Sequence, residues 1–322
     1  MVSQGMKQSS QSVPGREAWP WEGRRPVESS DWPRISVVTP SYNQGKFIEE
    51  TIRSVLLQDY PNLEYIIMDG GSKDETVEII KKYEKHLTYW VSERDRGQSH
   101  AINKGITRCT GELFNWINSD DLLAPGALEK VAKAWRENPG SIVSGGVEFF
   151  GDPALCRREG ASGQTLRNFV RFWEAEDFNW AQPATFVPLQ DLKAVGGVRE
   201  DLTYCMDYNM MVNLLLRDLR VTYVDATLAR FRLHSHSKTV GAMEKFRLER
   251  VPMLRNMPGL PFPVADWEWD REQTKRLVDV ARHAVERGDI RSGARLFGQA
   301  LRCRPSTAIH ETVRRAVRKL LR

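Results

Sequence analysis

The chain of 322 residues has little cysteine, no long apolar run and little excess charge, and each shortage narrows what it can be. Its four cysteines, Cys109, Cys156, Cys205 and Cys303, are scattered and form no Cys-x-x-Cys pair. Neither a disulfide framework nor a zinc cage is expected, and a reducing compartment is the simpler setting. No apolar stretch approaches the roughly 20 residues needed to cross a bilayer. Residues 1–33 hold no apolar core of the kind a secretion signal carries. Basic residues number 47 and acidic ones 42, a formal net charge of +5. That excess is too small to single out nucleic acid as a partner, and none is expected. A diphosphate or an anionic membrane surface suits it as well. The expected setting is the cytoplasm, with any membrane contact peripheral and at the inner face.

With 41% hydrophobic and 28% charged residues, the chain has the composition of a globular protein. Residues 1–33 form an arm rich in Ser, Gln, Pro and Gly. Its first half reads as disordered, and Trp19, Trp21 and Trp32 suit docking of its second half on the body. From Ile35 an alternation of elements begins. Ile35–Thr39 reads as a buried strand stopped by Pro40, and Lys46–Gln58 has helical spacing of Phe47, Ile48, Ile52, Val55 and Leu56. Leu63–Met68 is a second strand, Lys73–Lys85 a second helix and Leu87–Val91 a third strand. Gly97–Cys109 is a third helix and Glu112–Ile117 a fourth strand. Such an alternation predicts right-handed crossovers and a mostly parallel sheet with flanking helices, an α/β fold.

Beyond Leu122 the spacing predicts a helix at 125–137, strands at 141–150, 184–187 and 221–224, and a helix at 207–217. Residues 151–180 read as irregular and aromatic, and 252–268 as a proline-rich loop. The chain divides into the arm, a domain at 34–250 with a nucleotide-binding half (34–122) and an acceptor-side half (123–250), and a helical, basic extension at 251–322.

In parallel sheets ligands sit beyond the carboxyl ends of the strands. Four polar clusters fall there: Thr39–Asn43, Asp69–Ser72, Glu93–Gly97 and Asn118–Asp121. Asp120 and Asp121 end a strand just before a helix. Carboxylates so placed suit Mg²⁺ or Mn²⁺ together with phosphate oxygens, although acids near a helix start also serve as caps. Asp69 before Gly70-Gly71 can accept from a base N–H or from ribose hydroxyls, or it can simply belong to a turn. Asp207, at a helix start, can take a proton from an acceptor hydroxyl, or it can be an acid favoured there by the helix dipole. His234 and His236 can meet phosphate or metal, or lie in a surface loop.

Read in order, these blocks resemble a known family. Ile35-Ser36-Val37-Val38-Thr39-Pro40-Ser41-Tyr42-Asn43, Asp69-Gly70-Gly71-Ser72-Lys73-Asp74, Glu93-Arg94-Asp95-Arg96-Gly97-Gln98-Ser99 with Asn103-Lys104-Gly105, and Asn118-Ser119-Asp120-Asp121 resemble the family 2 glycosyltransferases of the GT-A fold, over about residues 34–240. The resemblance implies a Rossmann-like sheet that binds a nucleotide-sugar donor. It implies that Thr39, Tyr42 and Asn43 line the nucleotide pocket and that Asp69 holds the base. Asp95, Arg96 and Lys104 would approach the diphosphate or donor sugar. Asp120 would hold the metal, Asn118 and Asp121 would stand close to the donor, and His234 would lie near the metal. Asp207 matches the base of the inverting members, and Gln182 lies on the acceptor side. Two positions depart from the pattern. Asn118 stands where the metal turn usually opens with an acid, and Met206 precedes Asp207 where many members carry another acid.

The reading that follows is an inverting transfer of a sugar from a nucleoside diphosphate, with UDP the expected nucleotide, to a hydroxyl acceptor. The family's common use makes that acceptor a saccharide of a bacterial surface polysaccharide. A protein or small-molecule acceptor, or an idle nucleotide-binding module, is the alternative. Residues 272–306 are similar to one helical hairpin of a tetratricopeptide repeat, which cannot bury its own face and must pack on something else. The tail carries Arg314, Arg315, Arg318, Lys319 and Arg322 among Val313, Val317, Leu320 and Leu321. It reads equally as a peripheral membrane contact and as a solvated face of a packed helix.

Overall fold

A computed structural model describes residues 32–234 and 238–320. Trp19, Trp21 and His236, and the side chains of Arg315, Arg318, Lys319 and Arg322, lie outside the described residues. The first half builds as its pattern predicts: β1 (Ile35–Ser41), α1 (Gly45–Leu56), β2 (Leu63–Asp69), α2 (Thr76–Tyr83), β3 (Tyr89–Ser92), α3 (Gln98–Arg108) and β4 (Leu113–Trp116). All three strand pairings here are parallel, in the order β3-β2-β1-β4.

Strand side chains alternate between faces, and the two faces join different cores. Ile35, Val37, Tyr65 and Ile67 pack with Ile48, Ile52 and Val55 of α1 and Ile79 and Ile80 of α2. Val38, Ile66 and Met68 pack with Ala101, Ile102 and Ile106 of α3. The helices therefore cover both faces, which is why these strands read as largely apolar runs rather than as polar–apolar alternation. Each such side chain contributes about 1.5–3 kcal/mol on full burial.

Pro40 does not stop β1. Pairing with β4 ends at Val38↔Trp116, while pairing with β2 runs on to Ser41↔Asp69. At Pro40 one side of the strand is already an edge, where a missing N–H costs no ladder bond.

One close approach sets the distance between α3 and β1. A Cβ on Gly105 would lie 2.6 Å from Val38 Cγ1. Gly105→Ala gains up to about 1 kcal/mol of helix propensity but forces a buried β-branched neighbour to move, at about 1–3 kcal/mol. The packing term wins: a lower denaturant midpoint with an unchanged m-value is expected, and equal or raised stability would contradict the packing.

The second half contains β5 (Leu122–Leu123), α4 (Ala127–Glu137), β6 (Ile142–Phe150), β7 (Arg157–Glu159), α5 (Leu166–Val170), β8 (Thr185–Pro188), α6 (Leu189–Ala194), α7 (Met206–Leu216) and β9 (Val221–Arg232). The sheet continues β4-β8-β6-β9-β5, with β7 on β6. β8 is antiparallel to both β4 and β6, β9 is parallel to β6, and β5 is antiparallel to β9. The region expected to be irregular, 151–180, therefore holds one short strand and one short helix. β9 is eight residues longer than the strand expected at 221–224. Its register with β6 slips at Gly145 and Gly146, and that slip carries it onward to pair with β5.

The remaining helices are α8 (Lys238–Arg255), α9 (Asp266–Glu286), α10 (Ile290–Cys303) and α11 (Pro305–Leu320). The loop expected from 252 begins later, because α8 passes through Pro252 to Arg255 and also spans residue 250. Buried Val251, Met253 and Leu254 hold that last turn against the core that contains Met206, Met210 and Met211 of α7. Trp269 of α9 enters the same core, edge-on to Trp173 at 5.3 Å. Leu277, Val278, Ala300 and Ala308 form a separate small core among the last helices. Among the described residues no helix is long and apolar enough to cross a membrane.

Candidate active site

Four loops leave the carboxyl ends of β1 to β4, and side chains tie them to one another. Asn43, in the left-handed region at φ 51°, receives the Lys73 N–H on its side-chain oxygen at 2.9 Å, and its own N–H meets Ser72 Oγ at 2.7 Å. Asp74 accepts from Gly45 N at 2.9 Å and from Thr76 Oγ1 at 2.5 Å; burial pushes its pKa up, but these hydrogen bonds together outweigh it and hold the carboxyl below its usual range. Asp95 Oδ1 accepts from Gly97 N at 2.8 Å, where φ of 113° demands glycine, and α3 starts from that turn.

These loops surround a cleft of about 540 Å³, a size that suits small-molecule ligands. Tyr42, Asp95, Asn118, Asp120 and Asp121 are in its lining, and so are Gly70 and Arg94 from the same clusters. Gln44 and Gln98, just beyond those clusters, and Phe231 from β9 line it as well and were not anticipated. Gly70 is needed for room, since a Cβ on it would lie 2.7 Å from Asp95 Oδ2.

Other expected site residues stand behind or beside the lining. Thr39 is fully buried and its hydroxyl meets Tyr65 OH at 3.1 Å. Asp69, 1% exposed, accepts from Gly71 N, Ser72 N and Ser92 Oγ on one oxygen and from Ser72 Oγ on the other. It shapes the β2 loop directly beneath the cleft. Arg96 pairs with Glu200 at 2.6 Å, and Lys104 pairs with Glu93. Gln182 is buried, its amide donating to Asn115 Oδ1 at 3.0 Å and Trp116 O at 2.9 Å, so it braces the end of β4.

The turn after β4 is held from three sides. Asn118 receives Gln98 Nε2 at 2.7 Å and donates to Asp121 Oδ2 at 3.2 Å. Asp121 is 1% exposed, and its other oxygen takes the Arg232 N–H at 2.9 Å. Burial, and after it the adjacent Asp120 charge, holds the Asp121 carboxyl well above the usual carboxylate range. Asp121 is buried, and Asp120 is the more accessible acid of the pair. The Arg232 side chain donates to Asp120 O at 2.9 Å, pairs with Glu50 at 2.7 Å and lies 5.1 Å from the Phe47 ring centroid. His234 Nε2 lies 3.0 Å from Asp120 Oδ2, and its ring packs on Phe47. Both residues follow the part of β9 that pairs with β5. Arg232 was not anticipated, and the signal for it was its place two residues before His234.

Asp207 is half-buried in the first turn of α7 and accepts its neighbour's Tyr208 N–H at 2.7 Å. The adjacent Met206 receives the Ser99 hydroxyl on Sδ at 2.7 Å, which places the start of α7 against the first turn of α3, beside Gln98 of the cleft.

Residues 36–187 match the sequence model of the family described as glycosyl transferase family 2. The chain is 40% identical over 219 residues to the Bacillus subtilis protein named "Putative teichuronic acid biosynthesis glycosyltransferase TuaG", covering 65% of this chain and 82% of that one. The chain belongs to glycosyl transferase family 2. This family 2 member is also 38% identical over 97 residues to "Uncharacterized glycosyltransferase RT0329" of Rickettsia typhi, where the match spans 30% of each chain. Three further Rickettsia glycosyltransferases are matched over only 18–21% of their length. Among solved structures, residues 1–349 of S. aureus TarS in complex with UDP-GlcNAc align over 85% of this chain and 82% of that one, at a TM-score of 0.58 and 17% identity. That likeness bears on the fold, which is the expected α/β glycosyltransferase sheet with helices on both faces.

Asp120 and His234 hold an oxygen and a nitrogen in contact, 3.0 Å apart, a donor pair of a chemistry that suits Mn²⁺ better than the strictly oxygen-seeking Mg²⁺. Among the described residues no group of three or more His, Cys, Asp or Glu side chains is arranged to hold a metal. A cation here would draw its remaining ligands from water and from donor phosphates, the usual arrangement where one or two protein groups meet a bound diphosphate.

Proposed function

We propose that this glycosyltransferase moves a sugar from a UDP-sugar to a hydroxyl of a growing saccharide, with inversion, in the synthesis of a bacterial surface polysaccharide. The observation that carries the reading is the convergence of the β1, β2, β3 and β4 loops on one cleft lined by Asp120, whose carboxylate meets His234 Nε2 3.0 Å away. The name of the Bacillus relative supports polysaccharide as the product class. UDP is the nucleotide bound by the similarly folded TarS.

In this reading the base and ribose lie over the β2 loop that Asp69 shapes, and the diphosphate reaches the turn at Asp120. Asp207 takes the acceptor hydroxyl proton as that oxygen bonds to the anomeric carbon. The bond from that carbon to the diphosphate breaks on the opposite face, and UDP leaves with the bonding pair. Asp120 and His234 would hold a divalent cation, which would supply positive charge against the departing diphosphate. Arg232 fixes the turn, and Gln98 holds Asn118 in the position where the family pattern has an acid. The basic C-terminal helix would keep the enzyme at an anionic membrane surface, beside an acceptor anchored there.

The test is nucleotide release from a panel of UDP-, GDP- and other sugar nucleotides with Mn²⁺, Mg²⁺ or chelator. Release from UDP-sugars, greater with Mn²⁺, is expected. Binding of UDP without release from any sugar nucleotide would instead identify an idle nucleotide-binding module.

A further inference from the structure

The start of α7 lacks a cap of its own. Helix starts leave backbone N–H groups without partners, and Cys205, at the cap position, offers no side-chain bond. The turn that leads into α7 is held instead from a distant element. Glu249, on α8, takes three consecutive N–H groups: Thr203 N on Oε1 at 3.0 Å, and Tyr204 N and Cys205 N on Oε2 at 2.7 and 2.6 Å. Its carboxylate forms no ion pair among the described residues, so both oxygens are committed to this turn. Asp207 stands two residues beyond the last pinned N–H.

We propose that Glu249 is a positioning residue for transfer: it fixes the turn that launches α7 and thereby sets where Asp207 stands. The proposal rests on the reading of Asp207 as the acceptor's base. The anchor is rigid, because Val251 and Leu254, in the turn of α8 that follows, are buried in the main core. It is also separable from that packing. The apolar face of α8 holds the helix with or without the carboxylate, and Thr203 is exposed, so water can replace the bond to its N–H. Removing the carboxylate loosens the turn, at a cost in stability for the buried Cys205 N–H. Charge-assisted bonds of this kind are about twice as strong as neutral ones, and displacing a reacting group by about 1 Å can cost on the order of 10²-fold in rate. A further consequence concerns the chain's organisation. β9 ends at the donor turn with Arg232 and His234, and the next helix reaches the base's turn with Glu249, so consecutive elements brace the two halves of the reaction.

The test measures transfer by full-length Glu249→Ala and Glu249→Gln, alone and with Asp207→Asn. In Glu249→Ala, kcat is expected to fall about 10- to 100-fold, with donor KM, UDP affinity and metal-stimulated donor hydrolysis within about two-fold of wild type. Glutamine keeps one acceptor oxygen and should recover part of the loss. With Asp207→Asn already present, removing Glu249 should lower the residual transfer no further, because both changes act through one group. Wild-type kcat in either folded single variant would overturn the proposal, as would an equal further loss in the Asp207→Asn background. If the alanine variant does not fold, the isosteric glutamine variant decides by the same criteria. Transfer that survives Asp207→Asn alone would overturn the base reading itself, an outcome distinct from the failure of Glu249.

Discussion

Asp207→Asn is expected to reduce transfer by about 10²- to 10⁴-fold, the span associated with losing a general base, while UDP binds as before. Asparagine has the shape of aspartate, and its oxygen can still accept the Tyr208 N–H that Asp207 takes at 2.7 Å. The start of α7 should therefore survive, with its turn held by Glu249 and by the Met206–Ser99 contact. What is lost is the capacity to take a proton. Asp207 lies outside the lining of the donor cleft, so nucleotide affinity, read by calorimetry, should stay within about two-fold of wild type. Donor hydrolysis should persist where transfer does not, because water can reach the donor from any open side of the cleft. A variant that still transfers sugar at the wild-type rate would remove Asp207 from the reaction and return it to the bland role of an acid at a helix start.

Asp120→Asn is expected to differ in kind. Transfer and donor hydrolysis should fall together, by about 10²- to 10³-fold, as for the loss of a group that stabilises charge on the leaving atoms. Stimulation by Mn²⁺ should be lost with them. The fold should be unaffected, since the Asp120 side chain remains partly open and among the described residues its carboxylate bonds only to His234, while the turn is held through Asp121, Asn118 and the backbone. His234→Ala should show the same pattern more weakly, because the carboxylate remains. Asp121→Asn is a contrasting case. It disturbs a fully buried group bonded to Asn118 and to the Arg232 N–H, so loss of stability should accompany any loss of rate. Measuring unfolding and metal-stimulated release on all three variants separates the roles. Retained Mn²⁺ stimulation in Asp120→Asn would place the metal elsewhere.

Much of this protein was legible before its structure. The short apolar runs at Ile35, Leu63 and Leu113 read as strands buried on both faces, and the helical spacing between them implies parallel crossovers. Parallel order then puts Tyr42, Asp95, Asn118, Asp120 and Asp121 on one edge, because every strand in such a sheet ends on the same side. Local sequence also fixed the loops, through a glycine at Gly97, where φ is positive, and an asparagine that tolerates the left-handed region at Asn43.

Tertiary structure decided what local pattern cannot encode. Asp69, Asp95, Arg96 and Lys104 lie on the right loops, yet which of them faces the cleft depends on partners far along the chain. Glu200 draws Arg96 aside, Glu93 draws Lys104, and Ser92 and Ser72 surround Asp69. Asp120 and Asp121 are adjacent and chemically identical in sequence. Only tertiary packing buries Asp121 under the Arg232 N–H, which raises its pKa, and leaves Asp120 open. β9 hides its length behind arginines and an irregular register, and that register is what carries His234 to Asp120 across 114 residues. Sequence alone determined the sheet, its edge and the acids on it. The division of labour among those acids came from long-range contacts, because hydrogen bonding and desolvation are set by what surrounds a carboxylate and not by its neighbours in the chain.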